Sequence, residues 1–202
     1  MTQFLLVRHA PHVRQGEALV GRQPGVGLDP EQRWRAVKLA DRLAGLRIDA
    51  IQSSPRERAL ATADILAGRI GLPIETVAAL DEIDFGAWTG RRFDALESEP
   101  LWQRWNAWRT GGRPPEGEEM AAAQLRIVQH MKREWERRPD ATILMVGHGD
   151  PIRAALAHWL GLPLDLFTRL EISPASVSRV ELRPWGPRVL SVNETAAWED
   201  GA

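Results

Sequence analysis

The chain has no cysteine and no tyrosine among its 202 residues. Without cysteine there are no disulfides, no thiolate zinc site, no iron–sulfur cluster and no thiol nucleophile. Lysine is nearly absent: Lys38 and Lys132 are the only two, so 24 of the 26 basic residues are arginine. Charge of one sign is also lacking, with 26 basic against 27 acidic residues and a net charge of −1. That balance argues against a general nucleic-acid binder or a binder of acidic membranes, either of which needs a net basic face. No apolar run approaches the roughly 18 residues of a membrane span. The apolar run at Phe4-Leu5-Leu6-Val7 is too short for a signal-peptide core of roughly 7–15 residues. The expectation is a cytoplasmic protein with neither nucleic-acid nor membrane partners.

What is present is an alternation of strand-like and helix-like runs. Residues 4–7 and 142–146 are continuous apolar runs, as in strands buried on both faces. Weaker strand candidates are 48–52 and 74–77, and a late pair is expected at 176–182 and 188–192. Asp29-Pro30, Ser54-Pro55 and Asp150-Pro151 each place a capping side chain before a proline, a helix-start signal. Glu57 follows Ser54 at capping-box spacing. After Pro30, the residues Trp34, Val37, Ala40 and Leu43 recur at helical spacing, and a long helix is expected over 118–138. This alternation implies an α/β fold, with a mainly parallel central sheet covered by helices on both faces. A single domain over 1–202 is expected, carrying a small helical insert at about 91–115 that ends in the GGRPPEG stretch. Trp102, Trp105 and Trp108 sit at helical spacing in that insert. They form either a stripe that docks it or an apolar wall over a pocket.

Three strand ends carry polar groups: Arg8-His9, then Ser53-Ser54-Pro55-Arg56-Glu57-Arg58, then Gly147-His148-Gly149-Asp150. Ligands of open α/β sheets bind in the crevice outside the carboxyl ends of the strands, so these groups from distant parts of the chain are expected to converge there. Arginines beside a helix N-terminus suit a doubly charged phosphoryl group. A neutral imidazole is a competent nucleophile toward phosphorus, and nearby arginines disfavour its protonated form. A second histidine can donate to the oxygens that gain charge, and a carboxylic acid can protonate the leaving oxygen. Glu82, after the third strand candidate, is placed to reach the same mouth.

Five ordered segments, LVRHA (6–10), SSPRERALATA (53–63), EIDFGAWTG (82–90), PEGEE (115–119) and VGHGDPIR (146–153), resemble the histidine phosphatase superfamily in its phosphoglycerate mutase-like branch. The resemblance covers roughly residues 4–182. It implies a three-layer sandwich, His9 as the phosphorylated nucleophile, Arg8 and Arg58 on the phosphoryl group, and Glu82 as general acid and then base. It also implies His148 as the second, phosphate-binding histidine, with no metal and no organic cofactor. Gln15 stands where the family often has an asparagine that helps bind the phosphoryl group. Arg22, in Gly21-Arg22, is a candidate substrate contact. The Gly-x-x-Gln-Ala that usually opens the family's next helix is absent.

The expected partner is a small phosphorylated substrate, hydrolysed as in small-molecule phosphatases such as alpha-ribazole phosphatase. Cofactor-dependent mutase chemistry is the alternative. The short, lysine-free insert favours hydrolysis, because it leaves the phosphoenzyme open to water. A non-catalytic phosphate-binding protein and a metallohydrolase using His9, His12 and His148 rank lower. The late strands and the tryptophans permit a homodimer. Arg56, Arg91 and Arg92 read as solvated or, alternatively, as rimming the pocket; His12, His130 and His158 receive no role, His12 alone lying near the mouth.

Overall fold

A computed structural model describes residues 1–195; the last residues of the expected 1–202 domain lie outside the described ones. Six strands form one mixed sheet in the order β3-β2-β4-β1-β5-β6. They are β1 (Thr2–Arg8), β2 (Ala50–Ser53), β3 (Ile74–Thr76), β4 (Thr142–Gly147), β5 (Val177–Arg183) and β6 (Gly186–Glu194). The first four run parallel, as the strand–helix alternation predicts. The late pair closes one edge as an antiparallel hairpin.

Side chains of β1 alternate between two cores. Phe4 and Leu6 join Ile143 and Met145 under α5 (Met120–Arg137) and α6 (Gly149–Leu160). Leu5 and Val7 join Ile51, Leu144 and Val146 under α1 (Trp34–Leu43) and α2 (Glu57–Ile70). This two-sided burial explains why 4–7 reads as an unbroken apolar run rather than an alternating one. Each such side chain contributes about 1.5–3 kcal/mol through burial. Together the three layers match the expected phosphoglycerate mutase-like sandwich.

A third core belongs to the insert. Helices α3 (Phe93–Glu97) and α4 (Pro100–Ala107) bury Leu96 and Trp105 against Trp88, Met120 and Phe167. The tryptophan triplet divides: Trp105 is core, Trp102 lines a cavity, and Trp108 is exposed.

Three local expectations are corrected. The buried face of α1 is Ala36, Leu39, Ala40 and Leu43, while Trp34 and Val37 face solvent. Small residues on that face suit close approach to Ala59 and Ala63 of α2, and Lys38 lies over the exposed Trp34 ring. Ser54 does not cap α2. The cap position is Arg56, with no side-chain capping bond, because the Ser54 hydroxyl is engaged elsewhere. Nor does Asp150 cap α6. His148 holds that position, and Asp150 lies in the first turn, bonded to Arg153.

Candidate active site

Arg8 of β1 pairs with Gly147 of β4 in the parallel register. His9 and His148 are the next residues along, so the sheet delivers both imidazoles side by side. Their ring centroids are 5.1 Å apart, close to the roughly 4.8 Å spacing of neighbouring strands. The β2 end supplies Ser53 and Ser54, and the first turn of α2 supplies Arg58.

His9 is buried, and its Nδ1 donates to the Ala10 carbonyl at 2.7 Å. A carbonyl can only accept, so the proton sits on Nδ1 and Nε2 carries the lone pair. Arg58 Nε donates to that Nε2 at 3.2 Å. Burial, then Arg58 and Arg8, hold the His9 pKa well below 6.5. His148 is fully buried behind His9. Arg58 Nη2 lies 3.1 Å from its Nδ1, and Ser54 Oγ 2.7 Å from its Nε2. Burial first, then Arg58 and His9, push its pKa well below 6.5. Both rings are therefore neutral near pH 7.

Arg8 Nε and Arg58 Nη1 are buried with no hydrogen-bond partner among the described residues. Burying an unpaired guanidinium N–H is costly, so both are donors ready for an anion. Gly149 lies against Arg8: an added Cβ would sit 3.4 Å from Arg8 Nε.

Glu82 Oε2 lies 3.8 Å from His148 Nδ1, and its Oε1 accepts from Ile83 N–H at 2.9 Å. Burial, then the Asp150 charge, raise its pKa from 4.5 to about 7, against the opposing pull of Arg58 and Arg8. Its backbone is clamped: Arg22 Nε and Arg126 Nη2 donate to the Glu82 carbonyl at 2.8 and 3.1 Å. Glu118, from the PEGEE segment, accepts from both of those arginines.

Arg8, His9, Arg58 and Glu82 share one cavity of about 300 Å³ with Gln15, His12, Trp102, Arg109, Asp150 and Arg153. Gln15, on the first loop, therefore lines the same cavity. Arg22 does not line the cavity. It is held among Asp81, Asp84 and Glu118 at 3.5, 3.7 and 2.9 Å. That makes it a brace for the Glu82 segment rather than a cavity contact. Arg56, expected in solvent, pairs with Asp81 at 2.9 Å.

Sequence reasoning placed His12 near the mouth without giving it a role, and it missed the distal wall. His12 Nδ1 accepts from Arg14 N–H. Its ring lies 5.7 Å from that of His9, and its pKa falls to about 4 through burial and the neighbouring arginines. Its position three residues after His9 was the available signal. Arg109 is buried between the Trp105 and Phe167 rings, donates to Asn106, and lies 3.4 Å from Asp150. No spacing rule marks a residue that reaches the crevice from an insert.

Fold and site together define an α/β protein with a cationic crevice at its strand ends, built around two neutral imidazoles. The chain belongs to the histidine phosphatase superfamily (branch 1), whose family model matches residues 4–195. It is 32% identical over 183 residues to a probable phosphoglycerate mutase GpmB of Citrobacter koseri, covering 90% of this chain and 85% of the relative. YhfR of Bacillus stearothermophilus superposes with a TM-score of 0.91 at 25% identity, covering 97% of this chain and 98% of that one. An alpha-ribazole phosphatase from Shigella flexneri superposes with a TM-score of 0.84 at 23% identity, covering 95% and 96% of the two chains. Among the described residues, no helix is long and apolar enough to cross a membrane, and no group of His, Asp and Glu is arranged to hold a metal ion.

Proposed function

We propose that this protein is a metal-independent phosphomonoesterase acting on a small phosphorylated metabolite through a phosphohistidine. The observation that carries the reading is the unprotonated Nε2 of His9, buried beside two arginines with unpartnered N–H groups. Arg8 and Arg58 hold the phosphoryl oxygens, and Gln15 reaches the same group from the first loop. His9 Nε2 attacks phosphorus as the P–O ester bond breaks. The leaving oxygen keeps the electron pair and takes the Glu82 proton. His148 donates to a phosphoryl oxygen as charge builds. Water then gives a proton to the Glu82 carboxylate and its oxygen bonds to phosphorus. The P–N electron pair returns to His9, and inorganic phosphate leaves.

The distal wall supports a substrate with a second anionic group. Two guanidinium groups, Arg109 and Arg153, share one carboxylate, Asp150. One positive charge remains over, enough for a carboxylate on the leaving alcohol.

Mutase chemistry is the second reading, favoured by the name of the GpmB relatives. Only two short helices, α3 and α4, cover the crevice from the insert, which favours access of water to the phosphoenzyme. The test is a metabolite panel assayed in EDTA, following phosphate release and 3-phosphoglycerate isomerisation in parallel. Phosphate release that persists in chelator and outpaces isomerisation supports the phosphatase. Faster isomerisation overturns it in favour of the mutase, and loss of activity on chelation overturns the metal-free mechanism.

A further inference from the structure

Ser54 is fully buried and follows β2 directly. Its hydroxyl neighbours three groups: His148 Nε2 at 2.7 Å, Asp81 Oδ1 at 3.5 Å, and Arg56 N–H, which donates to it at 3.3 Å. The α2 helix is left without a side-chain cap, although a serine cap is worth about 1 kcal/mol. The neighbouring Ser53 hydroxyl donates to the Ser54 carbonyl and stays out of this network.

Only one arrangement of protons satisfies His148 as it stands. An arginine can only donate, so Arg58 Nη2 makes Nδ1 an acceptor. The ring proton is then on Nε2 and donates to Ser54 Oγ, whose own hydrogen turns toward Asp81. Yet Nδ1 is the ring atom that faces Arg58 and Glu82, and Nε2 is tied to Ser54 on the opposite side. With its proton on Nε2, this histidine has nothing to donate toward a phosphoryl oxygen in the cavity.

We propose that Ser54 is a positioning residue whose hydroxyl reverses when an oxyanion binds, switching His148 from its Nε2–H to its Nδ1–H tautomer. This rests on the phosphatase reading only for its catalytic consequence. In the switched state the Ser54 hydrogen donates to Nε2 and Nδ1–H donates to the oxyanion, while Arg58 Nη2 keeps the Gly21 carbonyl and shifts its other hydrogen from Nδ1 to the same oxyanion. A hydroxyl serves both states because it donates and accepts equally. The protons balance. One enters Nδ1 from the cavity, and the Nε2 proton leaves through Ser54 Oγ as the serine's own hydrogen passes to the Asp81 carboxylate. Asp81 returns one proton to solvent, and the hydroxyl then points at Nε2. Asp81 stays satisfied throughout, since Glu82 N–H donates to it at 2.7 Å and Arg56 lies at 2.9 Å. The other route to a donor at Nδ1, a charged imidazolium, is opposed first by burial and then by Arg58, His9, Arg126 and Arg8 around the ring.

The test is nitrogen-15 NMR of histidine-labelled protein, free and with orthovanadate bound. The expected result is an Nε2–H signature for His148 in the free protein and a neutral Nδ1–H signature with vanadate. An unchanged tautomer, or a doubly protonated ring, overturns the proposal. Ser54→Ala should hold the Nε2–H signature with vanadate bound and lower kcat/KM for all esters alike by at least about tenfold. Ser54→Thr, which keeps the hydroxyl, should restore both readouts. Restoration of neither by threonine counts against the relay. Because vanadate binding needs no turnover, a protein that hydrolyses no ester but still moves the proton would sink the phosphatase reading and leave the switch standing. Turnover without proton movement would do the reverse.

Discussion

Arg58 Nε donates to His9 Nε2 across 3.2 Å, while the same guanidinium reaches His148 Nδ1 through Nη2 at 3.1 Å and the Gly21 carbonyl at 2.7 Å. One planar fork thus fixes both rings and keeps Nη1 in reserve. A lysine cannot reproduce that geometry. Arg58→Lys should therefore lower kcat/KM by about 100-fold, and His9→Ala should abolish turnover. Steady-state hydrolysis of para-nitrophenyl phosphate checks both, and unchanged turnover in His9→Ala defeats the nucleophile assignment.

The pH profile should fall on one side only. Glu82 acts as the acid of the first step while protonated, so kcat/KM for an alkyl phosphate, which reports that step, should decline as pH rises through about 7. His9 stays neutral well below its ordinary 6.5, so no acid limb should appear near that value. An aryl ester with a good leaving group needs less proton donation and should show a shallower decline. Equal slopes for the two esters would remove the acid role from Glu82.

Stability should carry the mark of the same carboxyl. Its folded pKa of about 7 stands above the ordinary 4.5. Between those values the native state binds the proton more tightly than the unfolded chain, so stability falls as pH rises through that window and the penalty is complete above it. Glu82→Gln should accordingly stabilise the protein by roughly 2 kcal/mol more at pH 8 than at pH 4. Urea denaturation at the two pH values measures the difference, and a larger gain at pH 4 contradicts the sign.

Arg109→Met keeps an apolar stem between Trp105 and Phe167 but removes the charge. The ratio of kcat/KM for 3-phosphoglycerate to that for glycerol 3-phosphate should drop by about tenfold. An unchanged ratio would mean that the distal wall does not read a carboxylate.

Gly86 turns the chain at φ +50°, where an added Cβ would lie 2.0 Å from the Pro115 carbonyl oxygen. Backbone cannot yield as a flexible side chain does. Gly86→Ala should cost at least roughly 2 kcal/mol in chemical denaturation. It should also loosen the Glu82 segment, which sits four residues upstream.

Much of this architecture is legible in the residue pattern, because continuous apolar strands and proline-marked helix starts are local signals. The strand ends also announce His9, Arg58 and His148, since each follows a strand by a few residues. What escapes is any choice between two partners. Ser54 reads as a helix cap by spacing, yet its hydroxyl is taken by a histidine 94 residues away. Asp150 likewise reads as a cap but answers two arginines. Arg22 reads as a substrate contact, and only the fold reveals the carboxylates waiting around it. Trp34 and Val37 have the right period for α1 but the wrong rotation, which is decided by the helix packed against it.

The His9–His148 separation follows from adjacent strands held in parallel register at Arg8 and Gly147. The gap between the two imidazoles is therefore a property of the backbone, as fixed as a lattice repeat. Exchanges within either core can weaken or strengthen the protein without altering that span. The walls beyond it, drawn from the first loop and the insert, carry no such constraint. Selection can redraw them to admit new substrates while the reacting centre keeps its dimensions.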